Sequence, residues 1–135
     1  MYFSHIYSVP ANTTAQVPSH QKLKIANGTI KQWFVYGPDE KADMLHVSIE
    51  YHSLQMIPFG GQRWMYPLDF ALPIEENIVI KDSPYVLDIY AYNDDDSYAH
   101  EYIFGVVVIP EKPVSVPPTT SQSVIDRLKQ LFGGS

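Results

Sequence analysis

Residues Leu45-His-Val-Ser-Ile-Glu-Tyr51 decide the fold class, because apolar and polar side chains alternate along them without a break. A period of two places one face of a β-strand against a core and the other towards solvent. Beyond His52 the apolar side chains change phase, since Leu54 and Met56 now carry them. One extra residue has entered the pattern, which predicts a bulge or a tight turn near Ser53.

The same alternation, or short apolar runs bounded by turn residues, continues on both sides of this strand. The predicted strands are residues 2–9, 23–25, 30–36, 45–52, 54–56, 77–81, 85–92 and 98–109. Asn27-Gly28 is typical of a hairpin turn, whereas Pro67 makes residues 64–72 an irregular or edge segment. Seven or eight strands without a helix between them predict one all-β domain over residues 1–110, a β-sandwich or a small barrel.

The composition favours strands and loops over helices. Of the 135 residues, 45% are hydrophobic, 10 are Tyr and 11 are Pro; Tyr suits strands and Pro breaks helices. A net charge of −6 without a basic stripe disfavours nucleic-acid binding. The lack of cysteine excludes a disulfide scaffold, a zinc ribbon and a cysteine nucleophile. Without a signal-peptide pattern or an apolar run near the roughly 18 residues of a membrane span, we expect a soluble protein made in a cytoplasm.

The last part of the sequence predicts an arm beyond the sheet domain. Residues 111–122 form a proline-rich linker, which favours an extended and semi-rigid chain. Residues 123–133 predict a short amphipathic helix, with Ser123 as its N-cap and Gly133 near its end. Its apolar side chains are the predicted interface residues Val124, Leu128, Leu131 and Phe132. Because isolated helices below roughly 12 residues are marginal in water, this helix needs a surface on which to dock.

The most conspicuous polar cluster is the acidic loop, residues 93–100. Its candidate contact residues are Asn93, Asp94, Asp95, Asp96 and His100. Clustered carboxylates suit a hard cation such as Ca²⁺, but Asn, Asp and Ser are also turn formers. We expect a solvated hairpin loop without a metal. His100 follows the acidic residues closely enough for an Asp–His contact, a pH-sensitive latch, although an ordinary surface histidine is the expectation we favour.

Tyrosines flank the acidic loop on both sides. They are Tyr90, Tyr92, Tyr98 and Tyr102. Flat aromatic faces with a polar handle can stack on sugars or line a protein interface, and they can equally form ordinary cross-strand pairs. Trp33 and Trp64 are expected elsewhere.

No pattern in the sequence indicates catalysis. A Gly-x-Ser-x-Gly elbow is absent from the sequence, and Gly60-Gly61 is too short to hold a phosphate. His46 and His52, about 20 Å apart on one strand, cannot share a metal. We therefore predict a protein that is not an enzyme and needs no cofactor.

Several segments in their order along the chain resemble a family of small all-β proteins of viruses and phages. The segments are Val9-Pro-Ala-Asn-Thr-Thr14, Leu23-Lys-Ile-Ala-Asn-Gly28, Leu45-His-Val47, and Ser83-Pro-Tyr-Val-Leu87 followed by Tyr92-Asn-Asp-Asp-Asp-Ser-Tyr-Ala-His100. The resemblance covers roughly residues 1–110. It implies a single jelly-roll-like sandwich, and it supplies no catalytic residues.

The resemblance also implies a role. It points to a structural protein of a virus particle, either a small capsid subunit or a capsid-decorating protein, located in the virion after synthesis in the host cytoplasm. Its expected partners are further copies of itself and other virion proteins, without nucleic acid or a membrane span. Two alternatives stay open: a carbohydrate- or receptor-binding sandwich that uses loop 93–100 with the nearby tyrosines, and a sandwich stabilised by Ca²⁺.

Overall fold

Eight β-strands make up most of the computed structural model, which describes residues 1–38, 42–58 and 61–111. The strands are β1 (Tyr2–Val9), β2 (Ser19–Lys24), β3 (Gly28–Tyr36), β4 (Leu45–Tyr51), β5 (Leu54–Ile57), β6 (Ile74–Ile80), β7 (Val86–Asn93) and β8 (His100–Pro110). One turn of 3₁₀ helix, Ala42–Met44, precedes β4. The predicted helix 123–133, with Val124, Leu128, Leu131 and Phe132, lies outside the described residues, as does the predicted linker beyond Glu111.

The strands form two antiparallel sheets of four strands each. One sheet has the order β1-β8-β3-β6 and the other β2-β7-β4-β5. We call them sheet A and sheet B. Among the eight described strands, only β4 and β5 are neighbours both in sequence and in one sheet. The all-β prediction is confirmed, but both predicted hairpins other than the one near Ser53 are wrong: Asn27-Gly28 joins sheet B to sheet A, and so does the acidic loop between β7 and β8.

Gly28 is required by a close approach of two backbones and not by a hairpin turn. It begins β3 and pairs with Ile80 on one side and Pro110 on the other. A Cβ atom at this position would lie 2.2 Å from the carbonyl oxygen of Ile109. Only glycine leaves room there, because any other residue would force the backbone of β8 away.

The predicted tight turn near Ser53 is confirmed. His52 and Ser53 both have positive φ angles, 49° and 67°, and they connect the paired residues Tyr51 and Leu54. Two central residues with positive φ define the turn that matches the twist of a two-residue hairpin. A register shift between Ile49 and Glu50 adds a bulge to the same hairpin.

Both sheets contribute side chains to one hydrophobic core. The alternation in β4 places Leu45, Val47 and Ile49 in this core without solvent exposure, as predicted. Sheet A contributes Ile30 and Phe104, which are equally buried. Each such side chain stabilises the fold by about 1.5–3 kcal/mol relative to an exposed position.

The segment between β5 and β6 is irregular, as the proline in it predicted. Met65 exchanges two backbone hydrogen bonds with Val47 of sheet B, at 2.8 and 3.0 Å, and Leu68 donates one to Val35 of sheet A at 2.9 Å. The segment therefore crosses from β4 of sheet B to β3 of sheet A, and it contacts each strand at residues that β5 or β6 does not pair with. Pro67 lies between the two attachment points, where its missing N–H removes no bond from a sheet.

Candidate functional site: the acidic loop and the two outer sheet faces

Asn93 anchors the acidic loop to the sheets. It is the last residue of β7 and is fully buried. Its side-chain Nδ2 donates to the carbonyl oxygens of Val9 (3.2 Å) and Tyr98 (2.9 Å), and its Oδ1 accepts from the N–H of Asp95 (2.9 Å). Its own N–H donates to Thr13 Oγ1 at 2.7 Å. The side chain thus connects the end of β7 to the end of β1 and to the residues that lead into β8.

The three acidic side chains that follow have separate partners. Asp94 is exposed and its Oδ2 accepts from His46 Nε2 at 2.6 Å. Asp96 is exposed as well, and its Oδ1 accepts from Ser97 Oγ at 2.9 Å. Asp95 is largely buried. The carboxylates therefore point in different directions and are individually hydrogen-bonded.

Asp95 and His100 form the inner contact of the loop. Asp95 Oδ1 accepts from the N–H of Ser97 at 2.9 Å, and Oδ2 accepts from His100 Nε2 at 2.7 Å. These hydrogen bonds, the one from Ser97 first, lower the pKa of Asp95. His100 is only 4% exposed. The Asp–His contact considered from the sequence is present, and the expectation of a surface histidine is wrong because the histidine lies under the loop.

Across residues 1–38, 42–58 and 61–111, no three His, Asp or Glu side chains come together as a group that could hold a metal ion. His46 contacts Asp94 at one end of β4. His52 Nε2 donates instead to the carbonyl oxygens of Asp82 (3.1 Å) and Pro84 (3.2 Å). The two histidines therefore serve different loops.

Aromatic and imidazole rings that contact one another lie on the outer side of sheet B, a surface that we call the aromatic–imidazole face. It comprises His20, His46, Trp64, Tyr66, Tyr90 and Tyr92. His20 stacks on its cross-strand partner Tyr90, with ring centroids 4.5 Å apart, and His46 stacks on its partner Tyr92 at 4.2 Å. Both imidazoles also donate to a carboxylate, since His20 Nε2 lies 2.8 Å from Asp88. Each ring is thereby fixed both by stacking and by a hydrogen bond.

Arg63 joins the middle of this face to the segment that crosses between the sheets. Glu50 and Asp88 lie directly opposite each other on β4 and β7, an arrangement that is unfavourable for like charges. Arg63 offsets it, with Nη2 3.6 Å from Glu50 Oε2 and Nη1 donating to the buried Ser48 Oγ at 2.6 Å. Its guanidinium also lies 4.8 Å from the centre of the Trp64 ring.

Trp64 and Tyr66 were not expected in this surface. Trp64 meets Tyr92 edge to face at 4.8 Å, and Tyr66 meets His46 at 5.0 Å. Burial, followed by the charge of Asp94 and by Tyr66, raises the pKa of Tyr92. The aromatic residues on both sides of Met65 were the only sequence signal, because period-two alternation is absent there and no strand could be assigned.

The other aromatic residues singled out in the sequence divide between the core and the surface. Tyr102 is 1% exposed and stacks on Tyr7 at 5.4 Å, so it is a core residue. Burial raises the pKa of Tyr7 to about 12. Trp33 also belongs to the core. Tyr98, which belongs to the acidic loop, is 71% exposed.

Sheet A has an outer side of a different character, which we call the apolar face. It comprises Tyr2, Ile6, Phe34, Tyr36, Ile103 and Val107. Tyr2 and Ile6 are more than half exposed. An open groove of about 600 Å³ runs between these side chains, and a smaller cavity of about 200 Å³ adjoins it near Phe34. Contiguous exposed apolar groups of this kind are typical of interaction sites.

Gly105 shapes the centre of the apolar face. It pairs with Phe34 across β8 and β3, and the Phe34 ring lies over it so closely that a Cβ atom would be 2.4 Å from the ring. The Tyr2 ring is stacked against this ring, with centroids 6.3 Å apart. The glycine thus lets one aromatic ring lie flat against the sheet and leaves the groove open beside it.

Comparisons with protein families, with curated proteins and with solved structures return no match for this chain. In the part of the chain that the structure describes, no helix is long and apolar enough to cross a membrane.

Proposed function

We propose that this protein is a non-enzymatic structural protein of a virus particle, a small capsid subunit or a capsid-decorating protein. The observation that carries the proposal is the strand order β1-β8-β3-β6 and β2-β7-β4-β5. We infer a jelly roll from this order, because every connection between successive strands except β4–β5 passes from one four-stranded antiparallel sheet to the other. Viral capsid domains use that fold. Because jelly rolls also serve lectins, the fold needs support from the surface.

The apolar face supports a role in assembly. A subunit of a shell must bury part of its own surface against neighbours. Burying exposed apolar side chains in such a contact lowers the free energy. Tyr2, Ile6 and Ile103 lie together on one side of sheet A. In the proposed role, the partners are further copies of the chain and other virion proteins, and the protein is located in the particle after its synthesis in the host cytoplasm.

Virus particles purified from infected cells that produce this chain test the proposal. Mass spectrometry should find peptides of this chain in the particle fraction, in a fixed ratio to the other particle proteins and resistant to washing at high salt. Light scattering on the purified chain should show association at high concentration. A chain that is missing from washed particles, and that stays monomeric at high concentration, would contradict the proposal.

A second candidate function rests on the aromatic–imidazole face beside the acidic loop. Tyr66 is 57% exposed and Asp94 has a largely exposed carboxylate, so an open ring and an open acceptor lie near each other around His46. A flat ring beside hydrogen-bonding groups suits a carbohydrate on a host receptor. A glycan array with Tyr66→Ala and Asp94→Asn variants tests this function, and the exposed Asp69→Asn variant is the control. The function would be rejected if the wild type binds no glycan on the array, or if the Tyr66→Ala and Asp94→Asn variants bind the same glycans as the wild type.

A further inference from the structure

We propose that the apolar face of sheet A is the docking site for the C-terminal segment 123–133 of a second copy of this chain. The inference deepens the proposed function, on which it rests, by naming the contact through which copies would associate.

The dimensions of the apolar face suit a short helix. From the pair Tyr2–Val107 to the pair Ile6–Ile103, the face extends over five residues of β1, which are four steps of 3.3 Å or about 13 Å. The predicted apolar stripe spans Val124 to Phe132, which in a helix is about 14 Å long. Strands β1, β8 and β3, at about 4.8 Å spacing, provide roughly the 10–12 Å width of a helix.

The chemistry of the two surfaces is complementary. Val124, Leu128 and Leu131 lie at helical positions i, i+4 and i+7, so they share one side and fit an apolar groove. Arg127 and Lys129 flank that stripe. Acidic side chains border the apolar face, since Glu101 is exposed on β8 and Glu75 is exposed on β6. Opposite charges at the rim would orient the segment while the apolar groups supply the free energy.

The length and composition of the linker favour a neighbouring copy over the same chain. The described residues end at Glu111, directly after β8, which is itself a central strand of sheet A. Residues 112–122 include three prolines and span about 34 Å when extended at 3.1 Å per residue. Gly105, the centre of the face, lies only five residues back along β8, about 17 Å. For the segment to dock on the apolar face of the same chain, the linker would have to turn back and span only about half of its extended length, which a proline-rich segment disfavours.

Two full-length double variants test the proposal. Leu128→Asp/Leu131→Asp removes the arm contact, and Tyr2→Ser/Ile6→Ser removes part of the face. The matched control is Val17→Ser/Leu54→Ser, which changes two side chains that are 75% and 73% exposed away from the apolar face. By sedimentation velocity, each of the first two variants should raise the dissociation constant at least about tenfold, a change of 1.4 kcal/mol. The control should associate as the wild type does.

An equimolar mixture of the two variants separates docking between copies from docking within one chain. The intact arm of the face variant can bind the intact face of the arm variant, so the mixture should form heterodimers that neither variant forms alone. A mixture that behaves like its separate components overturns the proposal, and so does a wild type whose association neither variant weakens. If Tyr2→Ser/Ile6→Ser melts more than a few degrees early, the near-isosteric Val107→Thr takes its place in the same mixture.

The outcome is independent of the test in particles. A chain that is present in virions but whose variants associate normally leaves the structural role intact and removes the docking site. If the chain is absent from virions but the mixture of variants forms heterodimers, the docking site is supported and the structural role in a virus particle is contradicted.

Discussion

Replacing Asn93, the buried residue at the start of the acidic loop, by alanine should destabilise the fold strongly. The substitution removes three side-chain hydrogen bonds. It leaves the carbonyl oxygen of Val9 without this partner in a buried place, and the carbonyl oxygen of Tyr98 and the N–H of Asp95 without theirs in partly buried places. A hydrogen bond contributes about 1 kcal/mol net, and an unsatisfied buried group costs about 1–3 kcal/mol. We expect a loss of about 3–5 kcal/mol, a large part of the 5–15 kcal/mol typical of a domain.

Urea unfolding followed by tryptophan fluorescence measures this loss. With a slope near 2 kcal/mol per molar urea, a common value for small proteins, the midpoint should fall by about 2 M while the slope stays unchanged. Asp96→Ala is the matched control, because its side chain is exposed and accepts a hydrogen bond from the neighbouring Ser97 Oγ, and it should cost less than about 0.5 kcal/mol. A cost below about 1 kcal/mol for Asn93→Ala would refute the anchoring role of this side chain.

Three further predictions, made with four substitutions, test other parts of the structure. Gly28→Ala should lower the free energy of unfolding by about 3 kcal/mol, measured in thermal or urea unfolding, because the new Cβ meets the backbone of Ile109. Gly105→Ala should lower it by only about 1 kcal/mol, because there the new Cβ meets the Phe34 ring, which can move. Equal losses for the two variants would contradict this reasoning. Ser53→Gly should stabilise by about 0.5–1 kcal/mol by relieving a positive φ, and a loss in the same assay would contradict the turn geometry. The pKa of Asp95 is lowered in the folded state, so the ionised carboxylate stabilises the fold above its ordinary pKa, and this stabilisation is lost as the pH falls through the folded pKa. The difference in melting temperature between wild type and Asp95→Asn should therefore narrow below about pH 4. A difference that does not change with pH would contradict this sign.

The strands themselves were predictable where one face is buried and the other exposed. Strand β1 was predicted as residues 2–9 and is found as Tyr2–Val9, and β4 was predicted within one residue. Strand β2 begins four residues earlier than predicted, because Ser19-His-Gln-Lys22 is polar throughout. An edge strand that pairs only with β7 receives its regular hydrogen bonds from its neighbour and needs no apolar face of its own there.

The pairing of strands could not be predicted from local patterns. Asn27-Gly28 has the composition of a hairpin turn, yet the glycine is needed for a backbone contact with residues about eighty positions away. The burial of His100 likewise depends on how loop 93–100 folds over the end of β8. Trp64 and Tyr66 reach the aromatic–imidazole face only because two isolated bridges hold their segment across both sheets. Each of these facts arises from contacts between distant parts of the chain.

The alternation of successive strands between the sheets also sets the order in which the protein can fold. Apart from the β4–β5 hairpin, every pairing among the described strands joins segments that are far apart in sequence; β1 and β8 first meet between Val9 and His100. Closing such long loops costs entropy before any contact compensates for it, so we expect folding in milliseconds to seconds. At 5–20 residues per second, roughly 5–20 s of synthesis separate the first strand from the eighth. During that time β1 and β3 lack β8, the strand that lies between them. Their unpaired edges are then open to strands of other chains, so aggregation is most favoured at this stage of synthesis.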